Sequence, residues 1–255
     1  MIPLKDENPH PPGFKPKMTI SLIIVNAIIF FIEVAITGQF FDFSNQNAFS
    51  MFYNWGAVPN CITGASVSII DFGAGPVTIS CPDAPYVSLL SSIFMHGGLM
   101  HFGGNMLFLW VFGDNIEQKF GKIKYLAIYL VWGIVAGLIH IAGDPNSVIP
   151  AVGASGAISG VLGAYLVIFP RARILTLMGY FFIHVQARWF LPFWLIFQNL
   201  LPLFVGGFGV ATGGGVAFLA HIGGFVIGLI TGFIYKKTHS SDFTYGTRYG
   251  YRPDY

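Results

Sequence analysis

Charge is what this sequence has least of: Asp, Glu, Lys and Arg make up 9% of its 255 residues, against 54% hydrophobic ones. A water-soluble domain carries roughly 25% charged residues, so this chain lacks the charge to cover a surface facing water. Lipid fits as its solvent. Cysteine is nearly absent too. Cys61 and Cys81 both fall in one long stretch between hydrophobic runs, where an oxidising environment permits a disulfide, two unpaired buried thiols being the alternative. The His-Glu-x-x-His pattern of zinc proteases is missing. So is the G-x-S-x-G elbow of soluble hydrolases, and no strand-helix alternation supports that fold.

What the chain has in quantity is uncharged runs of about 20 residues, the length that crosses ~30 Å of hydrocarbon. Six are marked: Thr19–Gly38, Ile93–Phe112, Tyr125–Ala142, Ser155–Phe169, Phe190–Val205 and Val216–Tyr235. The expected fold is an all-α, multi-pass membrane protein with six transmembrane helices. The first run follows a polar, Pro-rich segment and lacks a small-residue cleavage pattern, so it is expected to stay in the membrane.

All thirteen Lys and Arg residues fall before run 1, between runs 2 and 3, between runs 4 and 5, or after run 6. Basic residues resist translocation, so both termini are expected in the cytoplasm. Three segments follow: a cytoplasmic tail over 1–17, a membrane domain over 18–237 with a long external loop at 39–92, and a mobile cytoplasmic tail over 238–255. Residues 174–189 are apolar but interrupted by His184, Gln186 and Arg188, and read as an interfacial segment. With a net charge of +2 and its basic residues committed to topology, the chain has no patch to track phosphates, and no nucleic-acid partner is expected.

Polar side chains inside spans are costly and by default point to function. They cluster here. His96, His101 and Asn105 fall on run 2, Ser155 and Ser159 on run 4, and His221 on run 6. His101 and Asn105 share a helix face at four-residue spacing, with His96 placed about a turn away. Gly156, Gly160 and Ala164 form one small-residue stripe; Ala220, Gly224, Gly228 and Gly232 form another. Such stripes let helix backbones approach closely in lipid, and packing them together sets Ser155 beside His221.

A Ser-His pair performs nucleophilic catalysis, the imidazole taking the hydroxyl proton as oxygen attacks a carbonyl. The resulting oxyanion needs donors, for which Asn105, His101 and the Ser155 amide are candidates. A metal site built from His96, His101 and His221 is a weaker reading. A transporter lacks matching repeats and an ion-coupling acid, Glu33 being the one acid in a span.

These residues resemble the rhomboid intramembrane serine proteases. His96-Gly-Gly-Leu-Met-His101-Phe-Gly-Gly-Asn105 is similar to the family's H-x4-H-x3-N helix, and Gly113-x3-Glu117-x3-Gly121 to the turn that follows. Gly153-Ala-Ser155-Gly is similar to its G-x-S-G segment, and Ala220-His221-Ile-Gly-Gly to its A-H-x-x-G segment. The resemblance implies a Ser155 nucleophile, a His221 base, His101 and Asn105 as oxyanion donors, and Gly153 as part of the nucleophile segment. It also implies single-span membrane proteins as substrates, the lipid bilayer of the cell membrane as the setting, and no cofactor or metal. A non-catalytic relative that binds membrane clients is the alternative.

Two positions depart from the family pattern. Val87 and Ser88 stand where it has Trp-Arg, and Ser159 stands where many relatives have an aromatic against the imidazole. Ser159 is expected to steady His221 by a hydrogen bond in its place. The Gly-rich segment 206–215 is expected to cap the site.

Overall fold

The computed structural model describes residues 1–71, 76–201 and 217–239. The expected cap at 206–215 and the tail beyond 239 lie outside the described residues. The protein is mostly helical. Strand β1 (Ile2–Asp6) leads into helix α1 (Lys17–Thr37), followed by α2 (Gln46–Trp55), α3 (Pro59–Ile62), β2 (Val67–Asp71), β3 (Pro76–Ser80) and the short α4 (Ser88–Ser91). Then come α5 (Leu99–Phe120), α6 (Lys122–Gly143), α7 (Ser155–Ile168), β4 (Arg173–Met178), β5 (Phe181–Gln186), α8 (Ala187–Leu195) and α9 (Phe218–Thr238).

Among the described residues, α1, α6 and α9 are long and apolar enough to cross a membrane. Their outer faces carry exposed Ile28, Phe31, Val131 and Phe233, an arrangement suited to lipid rather than water. Helix α7 is different, with twelve of its fourteen residues buried. It is the central post of the bundle, enclosed by α5, α6 and α9.

The small-residue stripes explain how. A side chain at Gly224 would strike the carbonyl of Gly156, one at Gly228 the carbonyl of Gly160, and one at Gly163 the carbonyl of Phe225. Helices α7 and α9 therefore touch backbone to backbone, where glycine alone leaves room. The other side of Gly160 receives the fully buried Trp132 of α6. Trp132 Nε1 in turn donates to Thr231 Oγ1 on α9 at 3.1 Å, tying the third helix to the seam.

The segment Gly113-x3-Glu117-x3-Gly121 also finds its physical reason. Glu117 is buried, and its carboxylate accepts from the Met18 and Thr19 amides at 2.9 and 2.8 Å and from Thr19 Oγ1 at 2.9 Å. It caps donors that the first turn of α1 leaves without intrahelical partners. At Gly113 a side chain would meet Tyr125 Oη at 2.8 Å, and Gly121, with φ of 75°, turns the chain from α5 into α6.

Two runs are corrected, and the conformation of 174–189 is specified. Run 2 was set at Ile93–Phe112, whereas α5 starts at Leu99 and continues to Phe120. Gly98, at φ of 146° and pressed on the Phe41 carbonyl, breaks the chain before α5, so His96 precedes the helix instead of lying on it. The segment 174–189 is a hairpin, β4 pairing with β5 and with β1 in the order β1-β4-β5. Ile174, Thr176, Ile183 and Val185 suit strands, and Ile174 and Thr176 alternate inward. Run 5 gives way after α8 to a π turn over Ile196–Leu200.

The described residues of the loop at 39–92 are structured. It holds α2, α3, α4 and the β2–β3 hairpin, with Cys61 and Cys81 bridged across a Cα–Cα distance of 5.5 Å.

Candidate active site

Ser155 is the first residue of α7, and two contacts fix the chain that delivers it. The Gly153 amide donates to the Ser92 carbonyl at 2.8 Å, and Ala151 pairs with Ala57 as an isolated β-bridge. Gly153 has φ of 127°, a left-handed conformation that side chains disfavour. A side chain there would also lie 2.7 Å from His101 Nε2 and 3.6 Å from Ser155 Oγ. Glycine thus lets the His101 ring lie over the backbone beside Ser155.

His221, in the first turn of α9, places Nε2 2.6 Å from Ser155 Oγ. The two residues are 66 positions apart in sequence and meet because the glycine seam brings α7 against α9. His221 Nδ1 lies 2.5 Å from Asn199 Oδ1. An amide oxygen accepts only, so Nδ1 carries the hydrogen and Nε2 is left bare to accept from the Ser155 hydroxyl. That is the tautomer a general base needs.

His101 has the opposite tautomer. The Gly97 amide donates to its Nδ1 at 3.2 Å, which leaves the proton of the neutral ring on Nε2, the atom against Gly153. A donor therefore faces the Ser155 neighbourhood. One turn along α5, Asn105 is 7% exposed, and its Nδ2 has no hydrogen-bond partner among the described residues. Buried amide donors are nearly always satisfied, so one left free a turn along α5 from His101 is a candidate for a substrate oxygen. The first N–H groups of α7 are unpaired within the helix for the general reason that helix starts leave such donors.

His96 stands behind this set. Its ring is fully buried, edge-on to His101 at 5.3 Å and to Phe102 at 5.4 Å. Its amide donates to the Glu33 carboxylate at 3.1 and 3.2 Å, so Glu33 ties α1 to the approach of α5. The expectation for Ser159 is corrected: its hydroxyl donates at 2.7 Å to the Ser155 carbonyl four residues back, as hydroxyls on helices commonly do.

The neighbours that sequence reasoning missed come from α8 and the turn after it. Asn199 meets Nδ1 of His221, and the Trp194 ring lies 6.3 Å from its ring, centroid to centroid. Trp194 and Asn199 are five apart, a spacing that has no meaning on the α-helix expected there. No group of three His, Cys, Asp or Glu able to hold a metal ion occurs among the described residues.

Residues 84–238 match the family model described as the Rhomboid domain. The chain is 31% identical over 153 residues to RHOMBOID-like protein 5 of Arabidopsis thaliana, a match covering 57% of this chain and 43% of that one. It is 30% identical over 155 residues to Rhomboid protein 1, mitochondrial, of Saccharomyces cerevisiae, covering 59% and 42%. To Rhomboid protease GluP of Bacillus subtilis it is 38% identical over 93 residues, covering 36% and 18%. The matches span less than half the length of each of these relatives. A domain match across more than half of this sequence nonetheless establishes its kinship: the chain belongs to the rhomboid family.

Proposed function

We propose that this protein is an intramembrane serine endopeptidase of the cell membrane, cutting single-span membrane proteins near one face of the bilayer. The observation that carries this reading is the 2.6 Å contact between Ser155 Oγ and His221 Nε2 at the half-buried start of a short helix. At about 1.5 Å per residue, α7 reaches only some two-thirds of the way across hydrocarbon. Its start therefore lies below the membrane surface. We read α1, α5, α6, α7, the segment beginning with α8, and α9 as six spans, with both termini cytoplasmic because every Lys and Arg falls on that side.

Catalysis follows from the tautomers. The Ser155 proton passes to His221 Nε2 as Oγ attacks the scissile carbonyl carbon. The tetrahedral oxyanion is received by the Ser155 amide, His101 Nε2–H and the Asn105 amide. The proton on Nε2 then goes to the leaving amine and the acyl bond to Ser155 remains. A water molecule attacks that ester, giving its proton to the same nitrogen, which passes it to Ser155 Oγ as the acyl carbon–oxygen bond breaks and the carboxylic acid product leaves. The protein recovers its starting protonation.

Reconstitution in liposomes with a single-span reporter tests this. Wild type should release the cleaved fragment, and Ser155→Ala and His221→Ala should not. Equal cleavage by all three would sink the protease reading. Capture of the intact reporter without cleavage by any of them would support the client-binding alternative instead.

A further inference from the structure

We infer that Asn199 is the positioning residue that holds His221 in its base-competent tautomer, completing a Ser155–His221–Asn199 relay; the inference rests on the protease reading. Three observations converge. Asn199 is fully buried and aims Oδ1 at His221 Nδ1 at 2.5 Å, while Nε2 of the same ring meets Ser155 Oγ. Ser159, the residue on α7 expected to do this work, is committed to the Ser155 carbonyl. And the backbone departs from α-helix where Asn199 sits, in the π turn over Ile196–Leu200.

The π turn is what makes the geometry available. Residues five apart differ by about 140° around an α-helix, so Trp194 and Asn199 would face different neighbours. A turn with i to i+5 bonds brings positions five apart to one side, and here both flank the same imidazole. π turns inside helices concentrate at functional sites, and this one has an identified beneficiary.

An amide suits the task better than a carboxylate at this depth. A buried carboxylate in lipid carries a large desolvation cost, whereas an amide oxygen orients the ring and stabilises the transient imidazolium by its dipole alone. No proton moves to Asn199. His221 keeps its Nδ1 hydrogen throughout, and only the Nε2 proton cycles between Ser155, the leaving amine and water.

The test uses the full chain in liposomes, measuring kcat and KM for a single-span reporter and the rate of Ser155 labelling by a fluorophosphonate, both across pH. Asn199→Ala should lower kcat by roughly 10- to 100-fold with KM little changed, and slow labelling by the same factor. Asn199→Asp should recover most of that loss at high pH. Its acid limb should move to higher pH, because a carboxylate beside the ring favours the protonated base. Unchanged kcat and pH profile in Asn199→Ala would overturn the inference. So would equal losses in both variants with the acid limb unmoved, the mark of a merely structural role. Absence of cleavage and labelling in wild type would bring down the protease reading itself, a result separable from either.

Discussion

The two ends of α7 are built on opposite terms. At its start a donor is left free: Asn105 Nδ2 is buried without a partner among the described residues, while the Ser155 hydroxyl meets His221 Nε2 and the Ser155 carbonyl accepts from Ser159. Near its end, donors converge on one acceptor. Asp6 Oδ2 accepts from Asn8 Nδ2 at 2.7 Å, Asn115 Nδ2 at 2.8 Å and Tyr165 Oη at 2.8 Å, joining β1 to α5 and α7. On the proposed function the free Asn105 amide at the start of α7 serves a ligand, whereas near its end one shared carboxylate, Asp6, ties three elements together, although Asn115 Oδ1 in that cluster has no partner among the described residues. The glycine seam between them serves both.

The largest break in this comparison removes the seam. Gly228→Leu forces a side chain into the Gly160 carbonyl, and because Trp132 fills the other side of Gly160, α7 has nowhere to go. We expect a loss of at least roughly 3 kcal/mol, overpacking against backbone exceeding the usual range for cores. Loss of the folded, monodisperse protein in detergent would be the readout, and a stable, active variant would refute the close approach.

Next comes a change confined to the reactive end. Asn105→Ala should lower kcat about 100- to 1,000-fold, the usual cost of one oxyanion donor. Since Nδ2 has no partner to lose among the described residues, thermal stability should be nearly unchanged. A large fall in stability with intact kcat would reverse the assignment.

How much of this was legible in the sequence follows the same division. The small-residue stripes repeat every four residues along their helices, with Ser155 and His221 each one residue from the start of a stripe, and periodicity reports such things. The placement of α7 against α9 was therefore readable, as were the length and apolar character of α1, α6 and α9. The hairpin of β4 and β5 was not, because an apolar stretch with three polar interruptions is equally consistent with several interfacial structures. Its pairing with β1 depends on a strand more than 160 residues away. His96 was misplaced because Gly97 and Gly98 read as harmless small residues until the Phe41 carbonyl shows that the chain must break there. Asn199 was missed for a sharper reason: its role exists only on a π turn, and a period of 3.6 cannot reveal a five-residue coincidence.

The saturated end makes a pH-dependent prediction. Burial, reinforced by the Asp114 carboxylate and opposed by bonds from Tyr165 and Asn8 and by His10, pushes Asp6 up from the ordinary 3.8 to about 6. Between these values the folded protein holds a proton that the unfolded chain has released. Stability therefore falls as pH rises through this window and levels off above it, by an amount of up to about 3 kcal/mol. Melting temperature measured from pH 4 to 8 should decline over that interval in wild type and much less in Asp6→Asn. A rise over the same interval would contradict burial as the main influence on the Asp6 carboxyl.

The smallest effect separates the two ends most cleanly. Tyr165→Phe deletes one of the three donors to Asp6 and leaves an otherwise similar ring in a fully buried site. A hydrogen bond to a charged acceptor contributes roughly 1.5–3 kcal/mol, and loss of one among three falls at the lower end. The cost should be greatest near pH 8, where Asp6 is ionised, and should shrink below pH 5, where the neutral carboxyl needs the donor less. Because Tyr165 also holds the Asp6 carboxyl down, the window over which stability declines should shift upward in the variant. None of this reaches Ser155, ten residues back along α7 and bonded to α9 by its own contact. Cleavage of the reporter by the folded fraction should be unaltered, and a parallel fall in kcat would show that the two ends are coupled through the helix that joins them.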